Sequence, residues 1–302
     1  MVAVPKSLVP TLTPEDIVRE VRNLPSAPRV LPRLKRLLQD GNSSIHEIVA
    51  LVRLDPGIAA RVLQMGNSFY FSKGLRCFTV EEAVQRVGFD QVYELVSYAV
   101  ASQVLVRPVE VYGIDADRLW KMSVACALAA EALAERCGQD RNIAYTIGLL
   151  HCVGMVAIDE WALRTAHPLS FVSAGLPREA TQSERDQLGF TQADAGGALL
   201  EDWEFPPTMS EPVRWQYAPL SAGSHRRMTC LLAAAKWLRE AVCTTAPSQL
   251  PPSVMLDPLG LAAENLRGMA ALVARRFEAV SSLLEMREAP DPVRHRFPAR
   301  RW

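Results

Sequence analysis

The sequence predicts an all-α protein, a two-lobed irregular helical bundle, on three observations. Helix-start signals recur along the chain, the apolar residues that follow them fall at helical spacing, and no stretch of strand length alternates apolar and polar positions. Thr13-Pro14-Glu15-Asp16 supplies a capping hydroxyl, a first-turn proline and an acid. Ser44-Ile45-His46-Glu47 and Thr79-Val80-Glu81-Glu82 read as capping boxes, and Asp55-Pro56 and Asp257-Pro258 as caps followed by proline. Apolar faces follow: Ile45, Ile48, Val49 and Val52; then Ile58, Val62 and Met65; then Val80, Ala83, Val84 and Val87, stopped by Gly88. A looser stretch from Val106 to Asp117, with Pro108 and Gly113, is expected to be a hinge between the lobes. Beyond it the pattern gives a helical block over Leu119–Trp161, a polar segment with a short helix over His167–Gln187, and helices at Gln192–Trp203, Pro207–Gln216, Arg226–Val242 and Ala262–Met286.

Composition narrows the function classes. Hydrophobic residues are 49% of the 302, enough for a large core. Lys plus Arg and Asp plus Glu each total 33, so no chain-wide field draws nucleic acid or an anionic membrane. The N-terminus, interrupted by Pro5 and Pro10, has no signal-peptide core, and the longest apolar runs are short of a bilayer span. None of the six cysteines forms a Cys-x-x-Cys pair. They are expected to be reduced thiols of a cytoplasmic protein. Phosphate-binding glycine loops and nucleophile elbows are missing, and aromatics do not interleave with basic residues. The cluster Phe69, Tyr70 and Phe71 is read either as part of the lobe interface or as a docking surface.

One set of residues carries a family resemblance. Leu24-Pro25-Ser26-Ala27-Pro28, then Asp55-Pro56-Gly57, Asn67-Ser68, and Thr79 to Val84 ended by Gly88 occur at distances that resemble the N-terminal lobe of the HDOD family. Physically, Asp55 starts a helix, Asn67 is expected to end it in the left-handed conformation, and Ser68 to cap the next segment. Downstream, Leu119-Trp120, Gly148 to His151 with Gly154, Glu184-Arg185, Leu188 to Phe190, and Gly196-Gly197 are similar to the second lobe of that family, which derives from the HD phosphohydrolases. The resemblance implies an N-terminal segment 1–13 and an HDOD module over 14–220, with an N-lobe 14–107 and an HD-like lobe 115–220. A helical extension 221–286 packing on that lobe and an Arg/Pro-rich tail 287–302 complete the organisation.

The HD superfamily is named for a His-Asp pair that binds a metal able to polarise a phosphate and activate water. At the corresponding positions this chain has Met122, His151-Cys152, Gln192 and Gln216-Tyr217, so only His151 survives. Adjacent residues of one helix diverge by about 100 degrees, so His151 and Cys152 are not expected to aim at one ion. The resemblance therefore implies no catalytic residue, no metal and no cofactor. His151 is expected to be buried on a backbone carbonyl or hydroxyl, with Met122 and Cys152 packing as hydrophobes. The chain is expected to be a non-catalytic bacterial regulator acting on other signalling proteins. The degenerate cleft (Met122, His151, Cys152, Gln192, Gln216, Tyr217) would form a neutral, partly apolar pocket for a small ligand or peptide. Two alternatives stay open: a residual metal-dependent phosphohydrolase, and a regulator contacting nucleic acid through the tail, whose five arginines face two acids.

Overall fold

The computed structural model describes residues 12–20, 37, 43–72, 74–88, 91–92, 108–171, 180–243 and 250–285. Among them there are helices and no strand; one isolated bridge pairs Val109 with Ile114. Pro14–Glu20, expected in the N-lobe that starts at residue 14, forms α1 but packs on the second lobe, against the helices Val153–Thr165 and Gln192–Asp202. The first lobe holds α2 (Ile45–Val52), α3 (Pro56–Asn67), the single turn α4 (Phe69–Ser72) and α5 (Val80–Val87). Its caps are local, as short-range signals should be. The Ser44 hydroxyl accepts from the Glu47 amide while the Glu47 carboxylate accepts from the Ser44 amide at 3.0 Å. Asp55 accepts from the Ile58 amide at 2.9 Å. At Thr79 half of the expected box forms: Thr79 caps the Glu82 amide, but the Glu82 carboxylate reaches one residue further back, to the Phe78 amide at 2.8 Å. Gly88, at φ +92°, ends α5 in a conformation that side chains other than glycine resist.

Asn67 departs from expectation. It is the last residue of α3, with right-handed geometry, since only Ala166 and Glu204 among the described non-glycine residues have positive φ. Its fully buried amide instead pairs in both directions with the backbone of Cys77, accepting from the amide at 2.6 Å and donating to the carbonyl at 3.2 Å. That side chain closes the loop before α5. Ser68 caps α3 from behind, its hydroxyl donating to the Met65 carbonyl at 2.7 Å. Phe71 packs partly buried against the core; the side chains of Phe69 and Tyr70, and residues 24–28, lie outside the described residues.

The second lobe contains α6 (Ala116–Cys137), α7 (Arg141–Leu150), α8 (Val153–Thr165), α9 (Ala180–Leu188), α10 (Gln192–Asp202), α11 (Pro207–Arg214), α12 (Arg226–Cys243), the turn α13 (Ser253–Leu256) and α14 (Ala263–Glu285). The described part of the expected hinge is a pinned turn. Val109, Val111, Tyr112 and Ile114 are buried, the Val111 amide donates to Asp159 at 2.9 Å, and the Phe171 amide donates to the Val111 carbonyl. Asp257-Pro258 starts a short 3-10 turn, with α14 following at Ala263.

The apolar core runs unbroken from Ile48, Ile58 and Leu63 to Leu133, Ile147 and Leu150. Two indole and phenol groups tie the lobes together: Trp120 donates to the Leu54 carbonyl at 2.7 Å and Tyr145 to the Arg53 carbonyl at 2.8 Å. Arg141–Thr165 is apolar enough by length and composition to cross a membrane, but 89% of its most apolar 18-residue window is buried inside this fold.

Candidate functional site

The site forms where α7 ends. His151 is the residue after α7 and Cys152, at φ −102° and ψ 7°, breaks the helix before α8 begins. The 100-degree rule of a continuous helix therefore fails here, and the Cys152 sulfur lies 3.0 Å from His151 Nε2. The break is held by close backbone packing. A Cβ on Gly154 would sit 1.8 Å from the Gln192 carbonyl oxygen, so α8 and α10 touch backbone to backbone. A Cβ on Gly148 would meet Ala127 Cα and the Cys126 carbonyl oxygen of α6 at 2.8 Å.

Around that break the structure gathers five of the six expected residues into two hydrogen-bonded groups, His151 with Cys152 and Gln216, and Gln192 with Tyr217, which meet at Lys236. His151 Nδ1 lies 2.6 Å from the Gly148 carbonyl oxygen, which can only accept. Nδ1 therefore carries the proton and Nε2 is the acceptor. Gln216 donates from Nε2 to the His151 carbonyl and the Val213 carbonyl, both at 2.9 Å. Gln192 donates to the Tyr217 hydroxyl at 2.8 Å. The sixth, Met122, is 1% exposed and belongs to the apolar core.

The neutral pocket expected at all six residues takes another form. His151, Cys152 and Gln192 are 2% exposed or less, two cations from α12 stand against the centre, and of the six Gln216 and Tyr217 line a cleft. Arg239 points a guanidinium nitrogen at His151 Nε2, 2.7 Å away. Lys236 donates to Gln216 Oε1 at 2.9 Å and stands over the Tyr217 ring, 3.7 Å from its centroid. On the far side, the fully buried Glu184 accepts from the Tyr112 hydroxyl at 2.7 Å and from the Gln192 amide at 3.0 Å, a carboxylate seated on the first turn of α10.

Burial governs the protonation states. It holds His151 well below its usual pKa, assisted by the neighbouring Arg239 and Lys236 cations, so the ring is neutral. Burial and the adjacent guanidinium bring Lys236 down to about 7. Burial pushes the Cys152 thiol up to about 11 and Cys126 up to about 12, so neither is a thiolate at neutral pH.

A metal of the kind the HD superfamily holds does not fit these residues. The His151 imidazole turns its lone pair to a guanidinium, its other nitrogen is committed to Gly148, and the adjacent thiol is protonated. Two buried cations would repel a divalent ion. Among the described residues no group of three His, Cys, Asp or Glu converges as ligands.

Lys236, Arg239 and Glu184 were not legible as site residues. One signal was present: in α12 the positions Leu232, Lys236, Arg239 and Cys243 fall at helical spacing on one stripe, so two cations occupy places where an amphipathic helix carries apolar side chains.

The model of the HDOD domain matches residues 24–219. The chain belongs to the HDOD family. An uncharacterized protein of Treponema pallidum is 24% identical over 270 residues, covering 87% of this chain and 52% of that one, so the HDOD chain spans about half the length of this curated relative. Among solved structures, the MmoQ response regulator of Methylococcus capsulatus superposes with a TM-score of 0.66 at 21% identity, over 84% of this chain and 99% of that one. A virulence factor of Campylobacter jejuni gives 0.64 at 16%, over 87% and 96%. These likenesses establish the HDOD fold as shared.

Proposed function

We propose that this HDOD chain is a non-catalytic bacterial regulatory module that acts through contacts with other signalling proteins. The observation that carries the reading is Arg239 at 2.7 Å from His151 Nε2, a guanidinium where the superfamily's chemistry calls for a metal. A neutral imidazole accepting from a fixed guanidinium has no lone pair left to act as ligand or base. The family's role as an output module, and the name of the response regulator that shares the fold, support regulation as the broad class.

The test is elemental analysis of the purified, tag-free protein with no metal added, paired with hydrolysis of bis(p-nitrophenyl) phosphate in added manganese. The reading expects far less than one transition metal per chain and a rate equal to that of His151→Gln. One metal per chain surviving dialysis, with a rate that depends on His151, would sink it.

A further inference from the structure

We infer that a cleft beside Lys236 binds a small organic anion, a single carboxylate or phosphate head on an aromatic or apolar body. The cleft has a volume of about 440 Å³ and lies between the end of α11, one face of α12 and the segment that leads into α13. That volume suits a compact ligand. Its polar lining is Gln216, Tyr217, Lys236 and Glu240, and its apolar walls include Trp237 and Met255.

The head group follows from Lys236. Its residue is 8% exposed, and its ammonium has two partners, the Gln216 amide oxygen and the Tyr217 ring face, both neutral and both lining the same cleft. One turn away, Arg239 adds a second buried cation whose carboxylate neighbour, Glu240, is 3.8 Å off. The hydrogen-bond and ring partners of this buried ammonium are neutral, with the Glu240 and Glu184 carboxylates acting on it through space, and an anion entering the cleft supplies a counter-charge in contact. The body follows from the walls: the Trp237 indole and Met255 offer flat and deformable apolar contact. Glu240 limits the charge, because a carboxylate in the lining repels a head with two or more negative charges more than a head with one. Such a ligand would report to the centre directly, since Gln216 joins Lys236 to the His151 carbonyl.

The inference rests on the metal-free reading of the centre, and metal analysis of the same sample separates the two failures. The experiment is calorimetric titration of the full chain at pH 6.5 with 2-naphthoate, 2-naphthyl phosphate and the uncharged 2-naphthol. The expected result is one naphthoate per chain, bound about tenfold or more tightly than naphthol, with the difference lost in Lys236→Met. Glu240→Gln should tighten naphthyl phosphate more than naphthoate. No heat with either anion, or naphthol binding as tightly as naphthoate, would overturn the proposal without recourse to any variant. A folded Lys236→Met protein that keeps the preference would overturn it equally. A stoichiometric metal in the sample would overturn the earlier reading whatever naphthoate does.

Discussion

Two arginines mark two different ways of holding this fold together. Arg53, at the junction of the lobes, is about a quarter exposed and fully compensated. Its two terminal nitrogens bind Glu81 at 3.1 Å and Glu131 at 3.0 Å, and its plane lies 4.1 Å from the centroid of Tyr145. Arg239, at the centre of the second lobe, has a side chain 1% exposed, a neutral imidazole as its close partner, and an Nε with no hydrogen bond. The junction keeps its cation where water and two carboxylates stabilise it. The centre buries one where desolvation is at its most costly and the counter-charge is weakest. The first arrangement stabilises the assembly of the lobes. The second is a place where stability has been given up, which is common where a site must present charge to a ligand.

Three comparisons sharpen or break that contrast, beginning with the largest. Gly154→Ala should unfold the second lobe or cost about 4 kcal/mol or more, because the new Cβ meets the Gln192 carbonyl oxygen and Gly196 N, backbone atoms that cannot yield. Gly66→Ala, in the first lobe, meets Ala83 Cβ and Cys77 Sγ at 3.1 Å and should cost far less, about 1 kcal/mol, by denaturant titration. Comparable losses for the two would mean the centre is packed no more tightly than the first lobe.

Next, Arg53→Met should destabilise by about 2 kcal/mol, since it takes the guanidinium from Glu81, leaves Glu131 only its longer pair with Arg276 at 3.7 Å, and removes the ring contact. Arg239→Met should be neutral or stabilising by about 1 kcal/mol in urea melts, as replacing a poorly compensated buried charge with a similar apolar volume often is. A loss at Arg239 equal to that at Arg53 would erase the distinction between them.

The smallest effect is in the pH profile. His151 is held neutral in the fold, so the unfolded chain takes up a proton below about 6.5 that the folded chain does not. Its contribution is complete above 6.5 and lost as pH falls beneath it. Lys236 has a pKa of about 7 in the fold against 10.5 unfolded, set by burial and Arg239, with Cys152, Cys126 and Glu240 facing it and opposing the shift. Its contribution is therefore complete above 10.5, lost as pH falls to 7, and constant below. Unfolding free energy should rise between pH 7 and 9, and Lys236→Met should flatten that rise while leaving the acid limb to His151→Gln. Profiles unchanged in both variants would show that these two groups do not titrate differently on folding.

How much of this was legible depends on how far each signal reaches. Ser44, Asp55 and Thr79 act on amides three residues away, so their helices could be placed from local chemistry. The spans of α10, α11, α12 and α14 followed from apolar spacing to within two residues at each end. His151, Gln192, Gln216 and Tyr217 could be grouped from the family pattern because the HDOD frame fixes their positions. Asn67 could not be read, because its partner is the Cys77 backbone across a loop, and a left-handed cap suits the same residue equally well.

The sequence by itself determined the helical class and the caps at Ser44, Asp55 and Thr79, since each depends on residue type and near-neighbour spacing. Tertiary structure decided what surrounds His151. Arg239 lies 88 residues from His151, and nothing local distinguishes it from a solvated arginine on an amphipathic helix. Only the packing of α12 against α6 and α7 turns its stripe inward, carries Lys236 to Gln216, and makes a buried, charged centre out of a helix that could equally have faced water.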